Sequence, residues 1–363
     1  MQRIGLGVIG GGYMGKAHAV AANAVRAVFG FQADVHLAGV AASSPESAKR
    51  YAQAYGAAQA FDCAADLIAS DQVDAVIIAS PQDTHLEYAL QASRFGKPIL
   101  CEKPMGRSVQ EAQAIADAGQ SVINQVGYNY MSTPAAQHAE HLIREGRIGE
   151  VIWFRGEHHE DFLAVSGSNE WRKQGDANGT LGDLAPHVIH AAQRLCGPIE
   201  AVVADVRQRA QVRGEANTEH GNDDQAHALV KFASSANGML SFSRVAIGRK
   251  MGLAFEVHGT QGALRFDQED QNSLWFHDGT MGPDSGFTRI LAGPPHGAYR
   301  HFCQGAGHGT GYQDQIIIEQ GEFVSAMLQK RPAAPDFQQG VAVLKVVDAL
   351  RRSQQQNAWV QIN

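Results

Sequence analysis

The stretch that decides the fold is Ile4-Gly5-Leu6-Gly7-Val8-Ile9-Gly10-Gly11-Gly12-Tyr13-Met14-Gly15, near the start of the 363-residue chain. Its first half is a short apolar run, which predicts a strand buried on both faces of a parallel sheet. Its second half is a glycine turn, and Met14–Val28 has the periodicity of a helix. Strand, turn and helix together predict the first βα unit of a doubly wound sheet.

The glycine spacing Gly10-x-Gly12-x-x-Gly15 indicates what this turn binds. Gly10 permits the tight turn, Gly12 lets the backbone approach a pyrophosphate, and Gly15 lets the helix pack closely on the strand. The phosphates would then lie at the positive end of the helix dipole. The turn therefore predicts a bound dinucleotide, with Tyr13 and Met14 in contact with it.

The first third of the chain continues this alternation, which predicts an α/β Rossmann domain with a doubly wound parallel sheet over residues 1–126. The predicted strands are Ile4–Ile9, Leu37–Ala41, Ala75–Ala79 and Pro98–Cys101. The predicted helices are Met14–Val28, Pro45–Tyr55 (with Ser44 as N-cap), Thr84–Phe95 and Val109–Asp117. The sequence assigns no role to Ala24–Asp34, a long connection between the first helix and the second strand.

After Val126 the pattern changes to strands separated mostly by turns, which predicts an α+β domain over residues 127–363 with an open, mostly antiparallel sheet. The predicted strands are Val151–His158, Val202–Arg209, Ala226–Phe232, Gly238–Val245, Leu253–His258, Ala263–Phe266 and Trp359–Ile362. The predicted helices are Pro134–Glu145, Gln315–Gln329 and Gln338–Arg352, and Gln211–Asn222 and Pro283–Gly311 are predicted loops.

Composition excludes several classes of function. The net charge of −7, without a Lys- or Arg-rich block, argues against a nucleic-acid partner. We expect no membrane partner, because no apolar run reaches the roughly 18 residues that span a bilayer. The four cysteines are scattered and no signal-peptide pattern precedes the first strand, so we expect a soluble, cytoplasmic protein with reduced thiols.

The end of the second predicted strand bears on which dinucleotide is bound. Leu37–Ala41 is followed by Ala42-Ser43-Ser44, where a ribose-binding carboxylate would be expected. Ser43 and Ser44 leave room for a 2′-phosphate, and the Lys49-Arg50 pair follows on the next helix. We therefore expect NAD(P), with NADP slightly favoured over NAD. The alternative is that these are surface cations and that the ribose is bound loosely.

Three further features carry chemistry. Ser80-Pro81-Gln82-Asp83-Thr84-His85 and Glu102-Lys103-Pro104 each follow a buried strand, at the sheet edge where such folds bind ligands. Taken alone, Lys103 is as well explained as a solvated loop lysine. Asp183 and His187 are spaced i, i+4 at the start of a predicted helix and lie on one face. Histidine suits removal of a hydroxyl proton near neutral pH, and a lysine can stabilise the resulting alkoxide.

With these motifs the chain resembles the Gfo/Idh/MocA oxidoreductases over essentially its whole length. The resemblance implies a Rossmann domain, then an open antiparallel sheet, with the active site between them. It implies that Lys103, Asp183 and His187 act on a hydroxyl of a small-molecule sugar, anhydrosugar or cyclitol. It also implies that Ser80, Pro81, His85, Glu102 and Lys103 border the cofactor.

Other segments extend the resemblance to the substrate. Gly127-Tyr128-Asn129-Tyr130 is similar to the segment under the nicotinamide, so Asn129 is expected to contact both cofactor and substrate. Arg155–Asp161 followed by Trp171-Arg172 resembles the subgroup of levoglucosan and other sugar dehydrogenases. Asp161, Arg172 and Tyr312 are further candidate substrate-binding residues. The family also suggests a homodimer or homotetramer formed through the exposed sheet.

Three alternatives stay open at this point. A metal site is suggested by Asp183, His187 and His190 and by the run His158–Asp161, but the spacing of no zinc motif supports it, so no metal is predicted. An NAD-dependent glycosidase would oxidise its substrate only transiently, and such enzymes often carry an export signal. A non-catalytic dinucleotide or sugar sensor would not need Lys103. The identity of the sugar, the oxidised carbon and the physiological direction are not determined by the sequence.

Overall fold

The structure is a computed structural model, and it describes residues 2–165, 175–209, 222–282 and 284–362. The chain divides into two compact units. The first comprises Met1–Ser132 with Gly311–Val341, and the second comprises Thr133–Thr310 with Ala342–Asn363. The first unit therefore includes a late segment, 311–341, that the division at residue 126 assigns to the second domain.

The strands form one parallel and one mixed sheet. In chain order they are β1 (Arg3–Ile9), β2 (Asp34–Ala41), β3 (Gln59–Phe61), β4 (Ala75–Ile78), β5 (Ile99–Glu102), β6 (Asn124–Gly127), β7 (Val151–His159), β8 (Ile199–Arg207), β9 (Gln225–Phe232), β10 (Asn237–Ser243), β11 (Gly252–Gly259), β12 (Gly262–Asp267), β13 (Ser273–Asp278), β14 (Thr288–Leu291) and β15 (Val360–Gln361).

The α-helices accompany these strands in both units. In chain order they are α1 (Tyr13–Phe29), α2 (Pro45–Tyr55), α3 (Ala64–Ala69), α4 (His85–Arg94), α5 (Val109–Gly119), α6 (Pro134–Arg144), α7 (Phe162–Val165), α8 (Thr180–Asp183), α9 (Ala185–Cys196), α10 (Tyr312–Gln329) and α11 (Phe337–Gln356).

The first unit is the predicted doubly wound parallel sheet. Its strand order is β3-β2-β1-β4-β5-β6, which is the order of the Rossmann fold. Apart from the exposed Arg3, the central strands β1 and β4 are apolar because they are covered on both faces, and Leu6 and Ile77 are fully buried. Ser44 caps α2 as predicted, its hydroxyl accepting the Ser47 N–H at 3.2 Å. The fold class is confirmed for this unit, and its carboxyl edge carries the glycine turn.

The stretch Ala24–Asp34 has a packing role. It forms the last turns of α1, the turn at Gly30 (φ +66°) and the first residue of β2. Phe29 in this stretch lies against α10, where a Cβ at Gly321 would lie 2.4 Å from its ring. The long connection thus helps to hold α10 on α1.

The second unit is built on a nine-stranded sheet with the order β14-β13-β12-β11-β7-β10-β9-β8-β15. Among the described strands of this sheet only β7 and β10 pair in parallel, so the predicted open, mostly antiparallel sheet is confirmed. α9 lies on β7, where a Cβ at Gly156 would lie 2.5 Å from Val188. On the other face, Leu229 and Met239 are about half exposed and pair across β9 and β10.

One of the two predicted loops departs from the structure, for a simple reason. The loop prediction for Pro283–Gly311 is wrong at Thr288–Leu291, which forms the edge strand β14. This four-residue strand is mostly exposed and carries no alternating apolar pattern, so periodicity does not detect it. Residues 211–221 of the other predicted loop lie outside the described residues.

Candidate active site

The glycine turn leaves an open approach to the start of α1. Gly10 has a φ of +124°, and a Cβ there would lie 2.3 Å from the Ala79 carbonyl oxygen. A Cβ at Gly15 would lie 2.1 Å from the Gly10 carbonyl oxygen, whereas one at Gly12 would meet no atom within 4 Å. The first N–H groups of a 17-residue helix are therefore approachable at Gly12, as pyrophosphate binding requires.

The end of β2 presents serines and a cation. Ser43 is exposed after the end of the strand, and Ser44 is partly buried by its capping role. The exposed Arg50 on α2 donates to Ser47 Oγ at 3.1 Å. A guanidinium therefore lies within two turns of the serines that would face the adenosine ribose, and it is held by an uncharged partner.

His85 connects the polar segments that follow β4 and β5. Its Nε2 lies 2.9 Å from the Ser80 carbonyl oxygen, and its Nδ1 lies 3.1 Å from the Pro104 carbonyl oxygen. Burial lowers the pKa of His85, and the hydrogen bond to Ser80 opposes this shift. A neutral imidazole carries a hydrogen on only one nitrogen, so it donates to only one of these carbonyls. The ring nevertheless holds both segments, including the turn after Lys103.

Glu102 ends β5 and is buried beside Lys103. One carboxylate oxygen lies 2.9 Å from His18 Nε2, and the other accepts the Lys103 backbone N–H at 3.1 Å. The Gln320 amide nitrogen donates to the His18 carbonyl oxygen at 2.9 Å and also faces His18 Nδ1 at 3.0 Å. A carbonyl oxygen only accepts, which fixes the orientation of the amide. His18 Nδ1 is therefore an acceptor, and the neutral ring donates from Nε2 to Glu102.

Asn129 and Tyr312 both lie in the first unit. Asn129 is buried and donates to Gln315 Oε1 at 3.2 Å. The Tyr312 ring stacks on Tyr13 with centroids 5.8 Å apart, and its hydroxyl lies 3.4 Å from Met14 Sδ. Burial is the main reason that the pKa of Tyr312 is raised. α10 therefore contributes side chains next to both the glycine turn and Asn129.

Asp183 and His187 lie on two consecutive helices, where one was predicted. Asp183 ends α8, and Leu184 separates it from α9. Leu184 keeps a near-helical backbone (φ −94°, ψ −43°), so the i, i+4 spacing is retained across the break. Pro186 lies in the first turn of α9, where proline is well tolerated, and His187 after it is buried.

A second histidine packs against His187. The ring centroids of His158 and His187 are 5.7 Å apart. His158 belongs to β7, its Nδ1 lies 3.2 Å from the Leu184 carbonyl oxygen, and its Nε2 lies 2.9 Å from Glu160 Oε1. His158 therefore ties the sheet to the turn between Asp183 and His187. From the sequence, His158 is a candidate only for metal binding, although its place in a His- and acid-rich run is a signal of a role near the site.

A buried ion pair supports the segment that leads into α8. Arg244 and Asp224 are fully buried, with Nη2 and Oδ1 3.0 Å apart. Arg244 also donates to the Asn178 carbonyl oxygen at 2.7 Å. Asp223 accepts the Leu181 N–H at 2.7 Å; burial raises the pKa of Asp223, and this hydrogen bond opposes the shift. Sequence reasoning missed these residues because their partners are distant in the chain.

The remaining predicted substrate residues differ in how they are placed. Asp161 is buried and accepts hydrogen bonds from Lys250 Nζ at 2.7 Å and the Gly248 N–H at 3.0 Å, which lower its pKa. Its carboxylate thus already binds a cation within the second unit. Arg172 and the preceding Trp171 lie outside the described residues.

Sequence and structure comparisons cover both units. A family model described as "Oxidoreductase family, NAD-binding Rossmann fold" matches residues 4–130, and the Gfo/Idh/MocA C-terminal domain model matches residues 136–265. Levoglucosan dehydrogenase of Pseudarthrobacter phenanthrenivorans is 32% identical over 100% of this chain and 99% of its own length. Inositol 2-dehydrogenase of Rhizobium meliloti is 28% identical over 96% of each chain.

The chain belongs to the Gfo/Idh/MocA oxidoreductase family. A solved levoglucosan dehydrogenase in complex with NADH and levoglucosan matches with a TM-score of 0.94 and 32% identity, covering 99% of this chain and 100% of that one. An NAD-binding oxidoreductase from Klebsiella pneumoniae matches with a TM-score of 0.93 and 33% identity, covering 99% of each chain.

Membership favours one of the interpretations that the sequence left open. The relatives named above for their activity are dehydrogenases, so the prediction of an NAD(P)-dependent oxidoreductase of the sugar and cyclitol dehydrogenase class is confirmed, and it is favoured over the glycosidase and sensor alternatives. Among the described residues, no helix is long and apolar enough to cross a membrane.

Proposed function

We propose that this oxidoreductase transfers a hydride between the nicotinamide of NAD(P) and a secondary hydroxyl-bearing carbon of a sugar, anhydrosugar or cyclitol. The observation that carries the proposal is the whole-chain match to levoglucosan dehydrogenase, which has been solved with NADH and levoglucosan. A six-membered ring with several hydroxyl groups, such as an anhydrosugar, is therefore the substrate to test first.

In the proposed reaction, His187 removes the hydroxyl proton as the C–H bond is broken. A buried imidazole suits this role, because its ordinary pKa lies near neutrality. Asp183 orients the base and stabilises the imidazolium that forms, and Lys103 stabilises alkoxide character at the reacting oxygen. The same groups act in reverse when the carbonyl is reduced. The bound dinucleotide supplies the hydride acceptor or donor at nicotinamide C4.

The first unit is proposed to hold the cofactor. Gly10, Gly12 and Gly15 fit the pyrophosphate, because the approach at Gly12 is open and the helix behind it is long. Tyr13 and Met14 border this turn. The residues proposed to border the nicotinamide and its ribose are Ser80, Pro81, His85, Glu102, Lys103 and Asn129.

We further propose that NADP is preferred over NAD. Ser43 and Ser44 replace the acid that would repel a 2′-phosphate, and the Arg50 guanidinium lies on the adjoining helix. Solved relatives contain NADH, so NAD is the cofactor against which the preference is measured. The ratio of kcat/KM for the two cofactors with one substrate tests this proposal.

For the substrate, Asn129, Asp161, Arg172 and Tyr312 are proposed contacts besides the three reacting groups. Asn129 is already positioned by Gln315, so its carbonyl oxygen stays available for a hydroxyl donor. Asp161 accepts hydrogen bonds from Lys250 and from the Gly248 N–H. We propose that the sugar contacts both the Asp161 carboxylate and the Lys250 ammonium that it positions.

The substrate panel that tests the function contains levoglucosan, hexoses, pentoses and inositols, each with NAD⁺ and NADP⁺. Reduced-cofactor absorbance is followed, and we expect a rise with at least one ring polyol. Release of an aglycone from a glycoside without net cofactor reduction would favour the glycosidase. Tight cofactor binding with no turnover on any compound would favour the sensor.

We also propose a homodimer or homotetramer formed through the exposed face of the nine-stranded sheet. Leu229 and Met239 present an apolar surface there, flanked by Arg155 on β7. Light scattering of the wild type and of Leu229→Asp tests this, and a monomeric wild type would refute it. A cytoplasmic location is proposed from the four free cysteines, two of them buried, and cell fractionation tests it.

A further inference from the structure

α10 places an acid in the buried cluster around Glu102. Glu319 is 2% exposed, and among the described residues neither of its carboxyl oxygens has a hydrogen-bond partner. One oxygen of Glu319, one of Glu102 and a ring nitrogen of His18 all lie within 4.8 Å of one another. All three residues belong to the first unit, and Lys103 follows Glu102 directly.

Charge counting shows that this cluster needs one more proton or cation. His18 is a neutral donor, because its Nδ1 accepts from Gln320. Two ionised carboxylates would then share a buried space, which is strongly unfavourable. Burial, with the charge of Glu102 adding to it, raises the pKa of Glu319 well above its usual range. Other titratable groups that interact with Glu102 are His85, Cys101, Tyr128 and Tyr312, and Tyr312, whose pKa is also raised, interacts with Glu319 as well.

The hydrogen bonds decide which carboxyl group carries the proton. Glu102 accepts from His18 Nε2 at 2.9 Å and from the Lys103 N–H at 3.1 Å, and two N–H donors stabilise the ionised form. Glu319 receives no comparable donor among the described residues. The ionised group is therefore Glu102, and the protonated group is Glu319.

We propose that Glu319 is a positioning residue of the cofactor site. It is a neutral carboxylic acid whose O–H forms a hydrogen bond to the Glu102 carboxylate, and this bond fixes the carboxylate beside Lys103. The separation within 4.8 Å is bridged by a side-chain rotation or by one water molecule. Glu319 acts through Glu102 and is not itself a catalytic residue. As far as turnover is concerned, this inference rests on the proposed function.

A metal ion bound by the same three side chains is the competing explanation. His18 Nδ1 already accepts from Gln320, so a metal at Nε2 would move the ring hydrogen to Nδ1, where it would face the Gln320 donor and break that hydrogen bond. The proton needs no such change, and it keeps the His18–Glu102 hydrogen bond. Metal analysis of the purified protein decides the point, because one bound ion per chain that is lost in Glu319→Gln would overturn the proposal.

The first test is an infrared difference spectrum at neutral pH between wild type and Glu319→Gln. We expect a carboxylic-acid C=O band in the wild type that the variant lacks. Only the difference between the two spectra is interpreted. Burial also raises the pKa of Asp223 in the second unit, and a protonated Asp223 would absorb equally in both proteins. Glu322→Gln is the matched control on the same helix, since Glu322 is paired with Arg331 and should leave the band unchanged. Absence of the difference band would overturn the proposal.

The second test separates positioning from folding. Glu319→Gln keeps a neutral donor and should retain kcat within about threefold, whereas Glu319→Leu should lower kcat about 10- to 100-fold through one lost hydrogen bond to a charged group. Leucine also removes one donor to Glu102, so we expect its denaturation midpoint to fall modestly, and kcat is therefore compared well below the midpoints of all three proteins, where each is folded. Equal kcat in all three proteins would overturn the proposal.

The two tests also separate this inference from the proposed function. The infrared band and a fluorescence titration with NAD(P)H require no sugar substrate. If no substrate is found, the band still decides whether Glu319 is protonated. If turnover is found but the band is missing, the function stands and this inference falls.

Discussion

Each unit contains a histidine whose Nε2 lies 2.9 Å from a glutamate oxygen: His18 with Glu102 in the first, His158 with Glu160 in the second. The difference lies at the other ring nitrogen. His18 Nδ1 faces the amide nitrogen of Gln320, which donates, whereas His158 Nδ1 faces the Leu184 carbonyl oxygen, which accepts. The histidine–glutamate contact is the same in both units, but the partner of Nδ1 is a donor in one and an acceptor in the other.

The consequence is a difference of one proton. The His18 ring carries one hydrogen, on Nε2, and uses it in a hydrogen bond to the Glu102 carboxylate, so that pair has a net charge of −1. His158 must donate from Nδ1, and its Nε2 then either donates a second hydrogen to Glu160 or accepts one from the acid. In both cases the His158–Glu160 pair, beside His187, carries one proton more than a neutral imidazole with an ionised carboxylate. The His18–Glu102 pair carries no such additional proton. The partner of the second nitrogen determines what each pair can do.

The largest expected effect comes from removing the reacting group that accompanies each pair. Lys103→Met beside Glu102 and His187→Ala beside His158 should each lower kcat by about 10²- to 10⁴-fold, the usual contribution of acid–base and electrostatic groups. Cofactor affinity, measured by NAD(P)H fluorescence, should persist in both. Wild-type-like turnover in either variant would remove that residue from the mechanism.

His190, on the same helix as His187, shows what burial does to the pKa of a histidine. Burial and, to a smaller extent, the charge of Arg194 lower the pKa of His190 to about 3. Between the unfolded pKa near 6.5 and this value the unfolded chain binds more protons, so stability falls as the pH falls. The slope attributable to His190 is up to about 1.4 kcal/mol per pH unit.

Denaturant unfolding of wild type and His190→Leu at several pH values between 6.5 and 4 measures that slope. The wild type should lose stability faster than the variant as the pH falls. Only the difference between the proteins is read, because burial also lowers the pKa of the half-buried His138 to about 4. Parallel curves would show that His190 is not the group responsible.

Replacing the histidine of each pair should lower the free energy of unfolding by unequal amounts. His18→Leu leaves the buried Glu102 carboxylate without one of its two N–H donors, which should cost about 1.5–3 kcal/mol. His158→Leu leaves Glu160, whose side chain is 19% exposed and can be hydrated, so its loss should be smaller, about 0.5–1.5 kcal/mol. Denaturation midpoints test this order, provided that the slope of unfolding free energy against denaturant is unchanged, and a larger loss in His158→Leu would contradict it.

The smallest expected effect concerns the cofactor. Arg50→Ala should lower kcat/KM for NADP about tenfold, as expected for one charge-assisted contact to an exposed phosphate, and leave that for NAD unchanged. Arg94→Ala on α4 is a control of equal charge change elsewhere in the unit. An equal loss with both cofactors would assign Arg50 a structural role.

Much of the first unit follows from local sequence. The glycine turn, the apolar strands and the capping serine each require only neighbours in the chain, so their pattern predicts them. The sequence also predicts Glu102-Lys103 and the Asp183/His187 spacing, because these are short motifs. The short elements β3 and α3 were not predicted, since three and six residues are too few to show a period.

The rest depends on long-range contacts. Gln320 and Glu319 are two polar residues within the apolar face of α10, next to Ile316–Ile318 and Phe323, and that interruption was the available signal. Their partners lie more than 200 residues earlier, so periodicity cannot name them. Likewise, only the folded chain shows that Lys250 binds Asp161. The charge states of both histidine–glutamate pairs follow from such distant partners.

The central claim is hydride transfer from a ring carbon to the nicotinamide. It is tested most directly with the best substrate of the panel, deuterated at all ring carbons, and the oxidised cofactor that supports the faster turnover. We predict one deuterium at C4 of each reduced cofactor and a slower hydride step than with the unlabelled sugar. Reduced cofactor without deuterium, or product formed with no reduced cofactor, would contradict it.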